Sequence, residues 1–104
     1  MEAFQCPYLG SAVELSDDRD RHIQADHSGL PSDVFDYIAG TLASPDLIRR
    51  KFPSDNTIRF YRWYYDLDKY MVVIVVDDSP PRYWVVTAFV SHRIQRGETL
   101  WQRI

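Results

Sequence analysis

Tyr70-Met71-Val72-Val73-Ile74-Val75-Val76-Asp77 decides the fold. From Tyr70 to Val76 the run is apolar without a break and mostly β-branched, so a strand here buries both faces and lies inside a sheet. Ile58-Arg59-Phe60-Tyr61-Arg62-Trp63-Tyr64-Tyr65-Asp66 precedes it, and Tyr83-Trp84-Val85-Val86-Thr87-Ala88-Phe89-Val90-Ser91 follows. Both are rich in aromatic and β-branched residues. The connections Leu67-Asp68-Lys69 and Asp78-Ser79-Pro80-Pro81 are hairpin-sized, which predicts an antiparallel meander of three long strands. Alternation puts Arg59, Tyr61, Trp63 and Tyr65 on one face of the first strand and Ile58, Phe60, Arg62, Tyr64 and Asp66 on the other.

Working outward, Asp46–Phe52 reads as an edge strand whose Arg49, Arg50 and Lys51 discourage further pairing. Pro53–Asn56 is a turn. Upstream, Val34, Phe35, Ile38 and Leu42 form one apolar stripe, predicting a core helix from Pro31 or Ser32 to Leu42. Ser44-Pro45-Asp46 ends it. Ser16 is an N-cap, and Asp17, Asp18 and Asp20 suit the positive end of a helix dipole, predicting a surface helix over Asp17–His27. Val13–Leu15 reads as a short strand, residues 1–12 as an irregular arm, and 97–104 as a tail whose helical turn docks Leu100 and Trp101. The expected class is α+β: N-terminal helices on one face of a three- to four-stranded antiparallel sheet.

The chain of 104 residues fits one domain. Its single cysteine, Cys6, cannot make an internal disulfide, so a reducing cytoplasm is expected. No apolar run approaches the roughly 18 residues of a membrane span. The first residues have neither a basic start nor an apolar core, so no signal segment is expected. Charge is uneven: residues 1–46 hold nine acidic and two basic side chains, and 47–104 hold six and ten. A basic sheet beside an acidic helical part presents a phosphate-attracting face despite the net charge of −3.

Metal-free RNA cleavage needs a base for the 2′-OH, an acid for the leaving 5′-oxygen and a cation for the phosphorane. Imidazole and guanidinium supply these. His22 and His27 lie five residues apart, roughly 140° around a helix, so they do not both point squarely into one site. His22 is the first choice for proton transfer, His27 the second and His92 a third. Arg93, after the strand of Thr87, is the first choice for the phosphate, with Arg62 and Arg59 as rivals. Thr87 offers a hydrogen bond, and Tyr61 and Tyr65 offer rings for base stacking. No metal or cofactor is expected: His22 and His27 lack zinc spacing, Cys6 has no partner cysteine, and no glycine-rich phosphate loop exists.

Taken in order, a helix with His22-Ile23 and then His27, a helix ending in Pro45-Asp46, a tyrosine-rich strand, an apolar strand, and Val86-Thr87-Ala88 leading to Arg93-Ile94-Gln95-Arg96-Gly97 resemble the small phage- and toxin-associated nuclease domains of the barnase–EndoU–colicin–RelE superfamily. The resemblance spans Val13–Trp101 and rests on order and spacing. It implies a metal-independent ribonuclease, cutting by 2′-OH transesterification on an open sheet face, and an antitoxin or immunity protein as partner. The acidic pI of 5.5 departs from the basic character usual in that superfamily. The rival expectation is a non-enzymatic domain that binds a protein through the Tyr/Trp/Arg strand, since aromatics and arginine are enriched at interfaces.

Overall fold

Pro7-Tyr8-Leu9-Gly10 is a hairpin loop. The computed structural model describes residues 2–26, 30–78 and 82–104, with the backbone alone of Asp26. In it Gly10 takes φ 66° and donates its N–H to the carbonyls of Cys6 and Pro7, 3.0 and 3.1 Å away. A left-handed residue at that point is what glycine permits without steric cost. The loop joins β1 (Glu2–Cys6) to β2 (Ser11–Leu15), in register through Phe4 and Val13. The stretch read as an irregular arm is therefore a strand, with Phe4 and Cys6 alternating inward.

Helices α1 (Asp17–Asp26) and α2 (Val34–Ala43) follow, then β3 (Leu47–Arg50), β4 (Thr57–Tyr64), β5 (Lys69–Asp77), β6 (Tyr83–Ser91) and β7 (Glu98–Gln102). All seven strands form one mixed sheet in the order β1-β2-β6-β5-β4-β3-β7. This overturns the expected three- to four-stranded antiparallel sheet under helices: strand dominates, and the two helices are short. The β4–β5–β6 meander stands at the centre as expected. Both ends of the chain add to it. β2 pairs parallel to β6 through Val13–Tyr83 and Glu14–Trp84. The tail, expected to form a helical turn, is instead β7, antiparallel to β3, so β3 is an interior strand and not an edge. Thr99, Leu100 and Trp101 supply the β-forming residues. Arg103 fastens the tail: its Nε meets Asp46 Oδ1 at 3.1 Å and its Nη2 meets Ser44 Oγ at 2.6 Å.

The sheet curls. β1 and β4 are four places apart, roughly 19 Å in a flat sheet, yet Tyr8 and Phe60 meet edge to face at 6.2 Å. The inner face wraps α2: Val34, Ile38 and Leu42 pack with Phe4, Val13, Ile48, Phe60, Met71, Val73 and Val85. Gly40 lets α2 come close, since a Cβ there would stand 2.5 Å from Tyr64 Oη.

The outer face carries a second cluster of Leu47, Tyr61 and Val72, with Tyr70, Ile74, Phe89 and Ile94 against it. Ile94 comes from the 92–97 crossover. That segment leaves β6 and reaches β7 across the outer side of β5, β4 and β3. Four strand spacings, roughly 19 Å, are bridged by seven Cα steps, which reach at most about 25 Å. The crossover therefore has little chain to spare.

Candidate functional site

The N-terminal helix takes its direction from β2. Leu15 ends β2 just past its pairing with β6, and α1 begins two residues on and packs against β6. Beyond Trp84, β6 has this helix at its side where a longer β2 would have continued. Ser16 Oγ accepts the Arg19 N–H at 3.2 Å, starting the helix as its sequence predicts. Ile23 is the buried anchor.

Two cavities show how α1 is rotated. One, of about 250 Å³, lies between Asp20 and Gln24 and the start of α2 at Ser32–Asp36. The other, of about 290 Å³, is lined by Ser16, Arg19, Val76, Asp78, Trp84, Val85 and Val86. The Asp20/Gln24 flank therefore faces α2, and the Arg19 flank faces β6. His22 is three residues after Arg19, one turn on along that second flank, and is exposed. Arg82 stacks its guanidinium 4.5 Å from the Trp84 ring centroid and reaches Glu14 Oε2 at 3.1 Å. Arg19 and Arg82 thus both stand near Trp84, with His22 one turn on from Arg19.

Thr87 is reached next along β6. The ladder shifts between Ile74 and Val75, whose partners are Thr87 and Val85, which leaves Val86 as the extra residue. The register then draws one row across the outer face. Thr87 pairs with Ile74, Ile74 with Arg59, Arg59 with Arg49, and Arg49 with Thr99. Thr87, Arg59 and Arg49 so share one row on the outer face, while α1, whose Ile23 packs in the inner-face core, brings Arg19 to the Trp84 end of β6 with His22 one turn on.

Other sequence-predicted residues go elsewhere. Arg62 points to the inner face, where Nη1 donates to the Gly40 carbonyl at 3.1 Å and the guanidinium lies 5.0 Å from the Tyr64 ring. It is on the face opposite Thr87. Arg93 and His92 sit exposed in the crossover, past Ser91, and Arg93 N–H bonds Ser91 Oγ at 3.0 Å. Four residues of strand, roughly 13 Å, separate Thr87 from Ser91. Tyr61 is 1% exposed because the crossover covers it, and its Oη accepts the Gln95 N–H at 3.4 Å. Its ring is not open to a base. Tyr65 is 92% exposed and meets Trp63 edge to face at 6.4 Å. His27 lies outside the described residues.

Arg19 and Arg49 join the site without being among the candidates that the sequence offers. Arg19 is legible by its i, i+3 spacing to His22 once that flank is chosen. Arg49, on sequence alone, reads as part of a solvated edge. Pairing of β7 beyond β3 turns it into an interior position opposite Arg59.

Burial pushes the Cys6 thiol up from its ordinary value, which leaves it a poor nucleophile. No helix among the described residues is long and apolar enough to cross a membrane. Comparison with protein-family models, curated proteins and solved structures finds no match to this chain.

Proposed function

We propose that the domain is a metal-independent ribonuclease of the barnase–EndoU–colicin–RelE type, cleaving RNA by attack of the 2′-OH on its own phosphate. One observation carries this reading: Arg19, one helical turn before His22, lines a cleft between α1 and β6, the strand of Thr87. His22 takes the 2′ proton as the 2′-oxygen bonds to phosphorus. The P–O5′ bond breaks, leaving a 2′,3′-cyclic phosphate, and the 5′-oxygen acquires a proton from a second acid. His27, the second choice for proton transfer, is the candidate for that acid, since His92 lies beyond Ser91, roughly 13 Å of strand from Thr87. Arg19 answers the charge on the phosphorane, and Thr87 donates a hydrogen bond to a phosphate oxygen. Trp84, with a cation against its face, offers a surface for a base.

In this reading the domain works in the cytoplasm, where a free Cys6 persists, and an immunity protein or antitoxin restrains it. The test is incubation of the purified protein with total RNA in EDTA, beside His22→Ala. Cleavage to fragments ending in cyclic phosphate is expected, with a loss of about 10²–10⁴-fold in the variant and an unchanged melting temperature. Intact RNA in both, at high protein concentration, overturns the reading.

A protein-binding role is the second reading. The exposure of Tyr65 beside Trp63, which itself meets Tyr70 edge to face at 4.9 Å, favours it. That reading requires no cleavage and no effect of His22.

A further inference from the structure

Arg49 and Arg59 face each other directly across β3 and β4 on the outer side of the sheet. Like charges at such a pair are unfavourable unless something of opposite sign lies between them. No carboxylate among the described residues does so. Beyond Arg59 the row continues to Ile74, and beyond Arg49 to Thr99. Arg59 makes no hydrogen bond or ion pair among the described residues, and the Nε of each arginine is buried without a partner. Arg49 Nη1 donates to the Gln95 carbonyl at 3.0 Å, which holds that guanidinium in place under the crossover. Asp55 feels the charge of Arg59, but the two make no ion pair, and Asp55 Oδ1 accepts the Thr57 N–H and hydroxyl at 3.0 and 2.9 Å. Two arginines paired across neighbouring strands, one held by the Gln95 carbonyl and the other without a hydrogen bond among the described residues, match an oxyanion with several acceptor oxygens.

We propose that Arg49 and Arg59 form a phosphate subsite that holds a backbone phosphate of single-stranded RNA beside the one reacting at His22 and Thr87. This rests on the ribonuclease reading and extends it: the substrate strand runs along the Thr87–Ile74–Arg59–Arg49 row, outward from the α1–β6 cleft. Adjacent strands are about 4.8 Å apart, so Arg59 lies about 10 Å from Thr87 and Arg49 about 14 Å. The row binds the strand, and the cleft performs the chemistry.

The probe is a short 2′-O-methyl RNA oligonucleotide, which has no free 2′ nucleophile, titrated by fluorescence anisotropy over a range of salt. Arg49→Gln and Arg59→Gln are each expected to weaken binding and to lower the slope of log K against log salt by about 0.7, one phosphate contact on a single strand. Inorganic phosphate should raise the melting temperature of the wild type more than that of the double variant. Arg59→Lys keeps the charge and loses the fork, so it should fall between Arg59→Gln and wild type, and it covers the case in which a glutamine variant folds poorly. Unchanged affinity and slope in the double variant overturn the subsite. Arginine-dependent binding by a protein that leaves total RNA uncut instead overturns the ribonuclease reading and keeps the row as an RNA-binding surface.

Discussion

Tyr37 on α2 donates its hydroxyl to the Asp66 carboxylate in the turn after β4. That bond, with partial loss of solvent and the nearby charge, pushes the phenol up to about 12 from an ordinary 10. The folded state therefore holds this proton more tightly than the unfolded chain does. The resulting stability is fully present below pH 10 and fades as the pH rises toward 12. Tyr37→Phe removes it. Denaturant melts of the two proteins are expected to differ most below pH 10 and to converge by about pH 12. A gap that stays constant across that range would contradict the assignment. The same scale holds the contrast between Arg62 and Arg59. Three residues apart on one strand, they point to opposite faces, and only the outer one shares a row with Thr87.

Helix α2 and strand β4 are joined by a contact that a single methyl group would disturb. Tyr64 Oη donates to the Tyr37 carbonyl at 3.1 Å and stands 3.3 Å from Thr41 Oγ1. The same oxygen is where a Gly40 side chain would go. Alanine ordinarily favours a helix interior over glycine by about 1 kcal/mol. Here the clash reverses the sign: Gly40→Ala is expected to destabilise by about 1–3 kcal/mol, as overpacking does. In a Tyr64→Phe background the nearest ring atom, Cζ, lies 3.7 Å from where the alanine methyl would stand, an ordinary contact. The second substitution should then cost little or become favourable, which chemical denaturation of the four proteins in a double-mutant cycle reads directly. Strict additivity would show that the helix shifts to avoid the hydroxyl. Gly97 is a parallel case at the end of the crossover, where a Cβ would collide with the Arg50 carbonyl oxygen.

Across the whole molecule, the sheet is assembled from both ends of the chain, and the 92–97 crossover is the part with least slack. Deleting Arg96 shortens the bridge by one residue, to a reach of about 21 Å against roughly 19 Å of sheet, with Ile94 still to be seated on Leu47, Tyr61 and Val72. The deletion is expected to release β7 while the central meander stays folded. Hydrogen exchange should show protection lost on β3 and β7 and kept in the β5 core. A glycine inserted at the same point should be tolerated, because added loop length costs only a fraction of a kcal/mol. Loss of protection throughout the sheet would mean that β7 is integral to global folding.

The central strands are legible in the sequence because their evidence is local. Period-two alternation, a doubly apolar run and short turns define β4, β5 and β6 without reference to the rest of the chain. The stripe of Val34, Ile38 and Leu42 defines α2 in the same way. Flanking strands of five residues carry too little pattern: Glu2–Cys6 and Glu98–Gln102 become strands because an exposed sheet edge is there to receive them. Register belongs to the same class of information. Chemistry alone picks out the residue types of His22, Thr87 and Arg59, but the alignment of Arg59 with Thr87 through Ile74, the burial of Tyr61 under the crossover and the pairing of Arg49 with Arg59 depend on hydrogen bonds between residues distant in the chain. Sequence by itself determined the three long central strands, the core helix and their apolar faces, because side-chain sterics act over a few residues. Tertiary structure alone decided which faces meet, since strand order is set by the burial of the whole sheet around α2.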